Sequence, residues 1–136
     1  MARYVAIVDG EPGSFGISFP DAPGCVAMDT TIEGVIAAGG EVLAEWVGDV
    51  VAAGRPVPKA STADKIRKDR EIKELLENGG LLVSIPLVLD AGRSARANIS
   101  LDTGLLAAID EAARRQKVTR SAFLAAAARD KIKATA

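Results

Sequence analysis

Polar and apolar side chains alternate without exception in one short segment near the end of the chain, residues 96–101. Its polar members are Arg96, Asn98 and Ser100. Alternation with a period of two is typical of a strand that is buried on one face only. Arg pairs well with guanine, Asn pairs with adenine, and Ser bonds to several base edges. We therefore predict that these three residues contact DNA bases.

A second polar group follows at Thr119, Arg120 and Ser121, where a helix is predicted to begin. The first turn of a helix has free N–H groups, and these attract phosphate when a basic side chain lies nearby. We predict that these three residues contact the DNA phosphates.

Reactive residue types occur elsewhere, but without the partners that catalysis needs. Asp21 and Cys25 share a proline-rich turn, yet the chain has no histidine that could activate the single cysteine. We predict that Asp21 caps its own turn and that Cys25 is buried. A nuclease would need carboxylates that converge on magnesium, and Asp9, Glu33 and Asp49 are candidates by type alone. No catalytic residue, metal site or cofactor is expected.

Charge is distributed unevenly along the chain. Residues 1–92 have 8 Lys and Arg against 14 Asp and Glu, a net charge of −6, whereas residues 93–136 have 9 against 4, or +5. Residues 1–54 have one basic residue, Arg3, and eight Asp and Glu, which gives a net charge of −7. This asymmetry indicates a basic partner for the first part and nucleic acid for the second. The alternative is that the acidic surface only aids solubility.

Residues 1–89 show strand and helix patterns in a clear order. They predict strands at residues 4–8, 15–19, 25–28 and 81–89, and one helix from 31 to 53. They also predict a charged helix that begins at Ser61 or Thr62 and ends at about Glu77. Thr30 is the predicted N-cap of the first helix, and Glu33 completes a capping box. Gly39 and Gly40 indicate close approach of this helix to the sheet, and Pro86 places the last strand at an edge or bulge. The pattern predicts an α+β domain with the helix on one sheet face.

The chain from residue 96 onwards is predicted to form one strand and two helices, after a predicted hinge at residues 90–94. Asp102 and Thr119 are the predicted N-caps of the helices. So small a unit cannot bury an adequate core alone. We predict that residues 96–101 of two molecules pair as antiparallel strands and form a ribbon that fits the major groove. The alternative is pairing with residues 81–89 of the same chain.

Residues 93–133 resemble the ribbon-helix-helix family of dimeric DNA-binding proteins, on the basis of the alternating strand, the capped helix and the Thr119-Arg-Ser121 helix start. The resemblance implies a dimerisation and DNA-binding domain at residues 93–136.

The first part of the chain resembles the HicB-type antitoxin family. The resemblance rests on Phe19-Pro-Asp-Ala-Pro-Gly-Cys25, on Thr30-Thr-Ile-Glu33, on Trp46 and on Gly54-Arg-Pro-Val-Pro58. Two positions depart from the family pattern: Asp29 stands where glycine is common, and Gly34 where alanine is common. The resemblance implies that residues 1–92 form a degraded ribonuclease-H-like domain without activity. It also implies that this domain blocks a small basic HicA-type toxin that cuts messenger RNA.

The expected function is therefore that of a cytoplasmic antitoxin that also binds the operator DNA of its own operon. The chain is expected to pair with itself through residues 96–101, the family suggests a tetramer, and no membrane span is expected. The alternative is a stand-alone ribbon-helix-helix transcriptional regulator whose first domain senses a ligand or only oligomerises.

Overall fold

The computed structural model describes residues 2–89 and 95–134, and the chain divides into two compact units, Met1–Leu89 and Asp90–Thr135. The first unit contains strands β1 (Arg3–Glu11), β2 (Ser14–Ser18), β3 (Val26–Asp29) and β4 (Leu81–Pro86), and helices α1 (Ile32–Ala52), α2 (Ala63–Ile66) and α3 (Arg70–Glu77). The second unit contains helices α4 (Thr103–Arg115) and α5 (Arg120–Ala134). The predicted hinge at residues 90–94 and the predicted boundary after residue 92 lie outside the described residues.

The four strands form one antiparallel sheet in the order β3-β2-β1-β4. The four predicted strands of the first unit are confirmed, although their ends differ by up to three residues. Pro86, which has no N–H group to offer a further strand, lies opposite Arg3 in the edge strand β4. The prediction of an edge position is therefore confirmed.

Strand β1 is buried on both of its faces. Its α1-facing side chains Tyr4, Ala6 and Val8 join a core that includes Val35, Leu43 and Val47 of α1. Val5 and Ile7 point to the other face, where they pack against Ile66 and Ile72. The prediction that the helix α1 covers one sheet face is confirmed. The structure adds α2 and α3, which supply an apolar cover for the second face over β1.

The start of α1 differs by one residue from the prediction. Thr31 is the N-cap, since its hydroxyl accepts a hydrogen bond from the Gly34 N–H at 3.0 Å. Thr30 instead donates its N–H to the Asp29 carboxylate at 2.6 Å. The predicted capping box of Thr30 and Glu33 is wrong, and Glu33 instead places its charge in the first turn, where the helix dipole favours it.

Asp29 and Gly34, the two departures from the family pattern, are neighbours across the start of α1. A Cβ atom at position 34 would lie 2.7 Å from Cγ of Asp29 and 2.8 Å from Oγ1 of Thr31. Such contacts are too short for an alanine unless the side chains of Asp29 and Thr31 both move. The two departures are thus sterically linked, because the aspartate side chain occupies part of the space that an alanine methyl group would need.

The two adjacent glycines in α1 have different surroundings. A Cβ atom at Gly39 would lie 2.6 Å from Cδ1 of Ile17, which is itself buried in the core. A Cβ atom at Gly40 would have no neighbour within 4 Å. Close approach of the helix to the sheet is therefore confirmed at Gly39 and wrong at Gly40.

The predicted charged helix is two helices rather than one. Thr62 caps α2, accepting from the Lys65 N–H at 3.2 Å, and the chain leaves helical geometry before Asp69. Asp69 then caps α3 by accepting from the N–H groups of Glu71 and Ile72. The second cap restarts the helix, and Ile66 and Ile72 both reach the core over β1.

Asp21 holds a segment that is distant in sequence. Its carboxylate accepts from the Ser61 N–H at 2.7 Å and from the Ser61 hydroxyl at 2.8 Å. The prediction that Asp21 caps its own turn is wrong, since that turn closes through backbone hydrogen bonds from Ala22 to Phe19 and from Cys25 to Ala22. Beside it, the buried Tyr4 donates its hydroxyl to the Pro58 carbonyl at 2.6 Å. These bonds fasten the connector between α1 and α2 to the sheet.

The second unit has a small core. The predicted caps are confirmed: Asp102 accepts from the Gly104 and Leu105 N–H groups, and Thr119 accepts from the Ala122 N–H. Within residues 95–134 the buried side chains are those of Ile109 and Ala113, and α5 has none. The large apolar side chains of α5, Phe123, Leu124 and Ile132, are therefore only partly covered by their own chain.

The glycine pair in α1 yields a stability prediction. Gly40→Ala should raise the free energy of unfolding by up to about 1 kcal/mol, because alanine favours the helix and meets no neighbour. Gly39→Ala gains the same helix preference but forces Ile17 to move, at a cost of about 1 to 3 kcal/mol. Urea unfolding of both variants should thus find Gly39→Ala less stable than Gly40→Ala. Equal stabilisation by both substitutions would contradict the close packing at Gly39.

Candidate functional site

The predicted base-reading segment is extended and exposed in the single chain. Arg96, Asn98 and Ser100 lie just before α4, in a stretch that is neither helix nor strand, and all three side chains are exposed. None of the three makes a hydrogen bond or ion pair with the rest of the described chain. The sheet of the described residues has four strands and does not include this segment, so the alternative pairing with residues 81–89 is not observed.

Asp102 fixes the direction in which this segment meets α4. Its carboxylate accepts from the Gly104 N–H at 2.9 Å and from the Leu105 N–H at 3.2 Å. A cap of this kind ends the extended chain and begins the helix at a defined residue. The polar side chains are therefore presented immediately before a rigid element.

The start of α5 offers backbone donors for an anion. Thr119 uses its hydroxyl to cap the Ala122 N–H at 3.1 Å, and its carbonyl accepts from the Phe123 N–H. The N–H groups of Arg120 and Ser121 lie in the first turn, where a helix supplies no acceptor. The predicted phosphate contact at this helix start thus has two candidate backbone donors.

The Arg120 side chain is already engaged. Its Nε and Nη2 atoms donate to the two carboxylate oxygens of Asp110 at 2.7 and 2.8 Å, which joins α5 to α4. The planar guanidinium matches a carboxylate in this two-bond arrangement. The sequence gives no signal for Asp110 as the partner of Arg120, because the pair spans the turn between two helices and follows no helical spacing.

The pair shifts both groups toward their charged forms. The hydrogen bond from Arg120 is the largest cause that lowers the pKa of Asp110 below its ordinary 3.8, with the charges of Arg120 and Arg114 acting in the same direction. The same bond raises the pKa of Arg120. Part of the positive charge predicted for the phosphate contact is therefore balanced within the protein.

Most of the acidic groups of the first unit are exposed. Helix α1 carries Glu33, Glu41, Glu45 and Asp49 on its exposed surface and has no Lys or Arg. Like charges four residues apart destabilise an isolated helix, and Glu41, Glu45 and Asp49 have that spacing. Asp9 and Glu11 are exposed at the end of β1. Asp21 is the exception, since it is partly buried and bonded to Ser61.

The carboxylates considered for a nuclease do not converge. Asp9 shares its sheet face with Ile7, because side chains two apart in a strand point the same way, and that face is opposite to α1. Glu33 and Asp49 lie on α1, about 24 Å apart at the usual rise of a helix. Among residues 2–89 and 95–134 no group of His, Cys, Asp or Glu is placed to hold a metal ion.

Cys25 is buried, as predicted. Burial raises the pKa of its thiol. A thiol with a raised pKa forms less of the reactive thiolate.

Comparison with known proteins identifies the class of fold and then the family. The crystal structure of the Burkholderia pseudomallei antitoxin HicB is similar at 26% identity, covering 94% of this chain and 96% of that one with a TM-score of 0.58. The crystal structure of antitoxin HicB3 is similar at 26% identity, and the match covers 96% of this chain and 98% of that one with a TM-score of 0.52. A chain of the HicA3 and HicB3 toxin-antitoxin complex shares the fold at 22% identity. That match covers 65% of this chain and 99% of the other, with a TM-score of 0.52.

The family model for the HicB-like antitoxin of bacterial toxin-antitoxin systems matches residues 4–128. The chain therefore belongs to the HicB-like antitoxin family. A search of curated proteins gives no match. None of the helices described is long and apolar enough to cross a membrane.

The Asp110 and Arg120 pair should make the second unit sensitive to acid. A carboxylate whose pKa is lowered by folding stabilises the fold above its unfolded pKa of 3.8, and this contribution is lost as pH falls through the folded pKa. The stability difference between the wild type and Asp110→Asn should therefore shrink below pH 3.8. Carbon-13 NMR titration of the Asp110 carboxyl gives the pKa directly. In Arg120→Gln that pKa should return towards its ordinary value, and an unchanged pKa would contradict the pairing.

Proposed function

We propose that this antitoxin binds and blocks a HicA-type toxin through its first unit. We further propose that it represses its own operon through a ribbon-helix-helix dimer formed by its second unit. The observation that carries the proposal is the membership of residues 4–128 in an antitoxin family, together with the two oppositely charged parts of the chain. The ribonuclease-H-like character of the first unit and the domain boundary after residue 92 stay predictions.

Two features support a basic protein partner for the first unit. Residues 1–54 have a net charge of −7, and seven of the eight carboxylates are exposed. Complementary charge steers association and raises its rate. The fold is also shared with a chain of a HicA3 and HicB3 complex, which supports a HicA-type toxin as the partner. A toxin that cuts messenger RNA would be blocked in the cytoplasm, where its substrate is translated.

The exposed apolar surface of the second unit supports pairing of two chains. Ile99 is 63% exposed and Leu105 is 51% exposed, although both belong to the predicted inner face. Side chains of this size stabilise a fold by about 1.5 to 3 kcal/mol each when they are buried. A second chain could bury them and could also supply hydrogen bonds to the backbone of residues 96–101. Pairing would therefore bury exposed apolar side chains and complete backbone hydrogen bonds in the same part of the chain.

Such a pair would turn Arg96, Asn98 and Ser100 of both chains to the outside of a two-stranded ribbon. Ribbons of this kind fit the major groove, where base edges can be distinguished. The backbone N–H groups of Arg120 and Ser121 would meet the flanking phosphates. A tetramer built from two such dimers would raise the affinity for paired sites through effective concentration.

Co-expression with a co-encoded HicA-type toxin tests the antitoxin proposal. We expect the full chain to restore the growth of cells that make the toxin and to co-purify with it. If the protein fails to rescue growth and does not bind the toxin, the antitoxin proposal is wrong. Retained operator binding in that case would favour the stand-alone transcriptional regulator.

Base reading and phosphate binding predict different mutational effects on DNA affinity. Asn98→Ala should cost about 1 to 3 kcal/mol on the operator and little on unrelated DNA, because it removes a base contact. Ser121→Ala lies at the predicted phosphate contact instead of a base contact, and as the matched control it should change the affinity for both DNAs equally. Fluorescence anisotropy on both DNAs measures the effect. Equal losses on the two DNAs for Asn98→Ala would contradict base reading by the segment.

The role of Arg120 can be separated from that of its ion pair. Arg120→Ala should weaken binding to all DNA sequences, whether Arg120 contacts phosphate or only holds α4 against α5. Asp110→Asn frees the guanidinium. If Arg120 contacts phosphate, this variant should bind DNA at least as tightly and with a steeper salt dependence. A loss as large as that of Arg120→Ala would contradict a direct phosphate contact.

A further inference from the structure

The face of the sheet opposite α1 is only partly covered. Cross-strand neighbours share a face, and the register aligns Asp9, Gly16 and Met28 in one row across β1, β2 and β3. The next row contains Ile7, Ser18 and Val26. Ile7 is covered by Ile66 and Ile72, whereas Gly16 and Ser18 in β2 are half-buried and Val26 and Met28 in β3 are exposed.

These two rows form a shallow trough, defined here as Asp9, Gly16, Ser18, Val26 and Met28. Its floor has the small residues Gly16 and Ser18. One wall is apolar, since Met28 is 72% exposed and Val26 is 58% exposed. The other wall is acidic, because the Asp9 carboxylate leans over Gly16: a Cβ atom there would lie 3.4 Å from Asp9 Oδ1.

The trough has two features that call for a partner. Large apolar side chains on the exposed face of an edge strand are a liability that proteins normally avoid unless they serve an interaction. Asp9 and Glu11 are also without an ion pair in the described parts of the chain. The trough therefore joins an uncovered apolar wall to uncompensated negative charge.

We propose that the trough receives a lysine or arginine side chain of the basic toxin, an inference that rests on the proposed function. The aliphatic stem of such a side chain would lie over Gly16 against Met28 and Val26. Its charged head would meet the Asp9 carboxylate, with Glu11 nearby on the same face. Only a long side chain with an apolar stem and a cationic head matches both walls at once.

The acidic surface of α1 is less suited to hold an anchor residue. Its carboxylates Glu41, Glu45 and Asp49 are all exposed, and exposed ion pairs contribute little to affinity. Binding energy concentrates in a few desolvated contacts with apolar surroundings. Charged residues at the rim of an interface mainly set the association rate. We therefore assign the anchoring contact to the trough and assign steering to α1.

Binding of a catalytically inactive form of the co-encoded toxin to variants of the full-length antitoxin tests this proposal. Asp9→Asn removes the acidic wall, and Gly16→Val fills the floor with a residue that strands favour. Each should raise the Kd at least about tenfold, mainly through faster dissociation. Glu41→Gln is the matched control, because it removes one carboxylate from α1. It should change the Kd less than about threefold and act mainly on the association rate.

Circular dichroism melting should show that all three variants remain folded, and sedimentation should show an unchanged oligomeric state. If Asp9→Asn and Gly16→Val bind the toxin as wild type does, the trough is not the docking site, while the proposed function stands. If the trough variants change the oligomeric state instead, the trough is an interface between copies of this chain and the proposal is overturned. Failure of the wild-type protein to bind the toxin would contradict the proposed function itself.

Discussion

The second unit contains too little core to be stable alone, and the account of its function depends on this constraint. Among its described residues only Ile109 and Ala113 are buried, although its helices carry a regular series of apolar side chains. A unit of this size exposes most of its surface unless it associates. The extended residues 96–101 also lack backbone partners within the described chain. The proposed pairing with a second chain would bury more of these side chains and supply the backbone partners, and DNA recognition would then follow from the side chains left outside.

The first unit, in contrast, has a hydrophobic core that is complete within one chain. Apolar side chains cover β1 on both faces, and Asp21 and Tyr4 fasten the connector that leads to the second cover. What remains open is one side of β2 and β3 and the exposed face of α1. Both surfaces carry negative charge, but on β3 two exposed apolar side chains, Val26 and Met28, share a sheet face with Asp9. This combination is the basis for assigning anchoring to the trough and steering to α1.

Local signals in the sequence predicted much of this fold, because caps and alternation act over a few residues. Asp102 and Thr119 cap their helices as predicted, and Gly39 lies close to the sheet as predicted. Thr30 failed as a cap because two adjacent threonines offer the same chemistry, and the Asp29 side chain decides between them. The roles of Asp21 and Asp110 were missed since their partners lie 40 and 10 residues away in the chain. The exposed wall at Met28 requires the strand order, which alternation within one strand does not supply.

Sedimentation equilibrium of the full-length protein, over a wide range of concentrations and without DNA or toxin, tests the central claim most directly. Pairing through residues 96–101 predicts a mass of at least two chains, and Ile99→Asp should reduce that mass or unfold α4 and α5. A folded monomer with intact α4 and α5 at all concentrations would contradict the account.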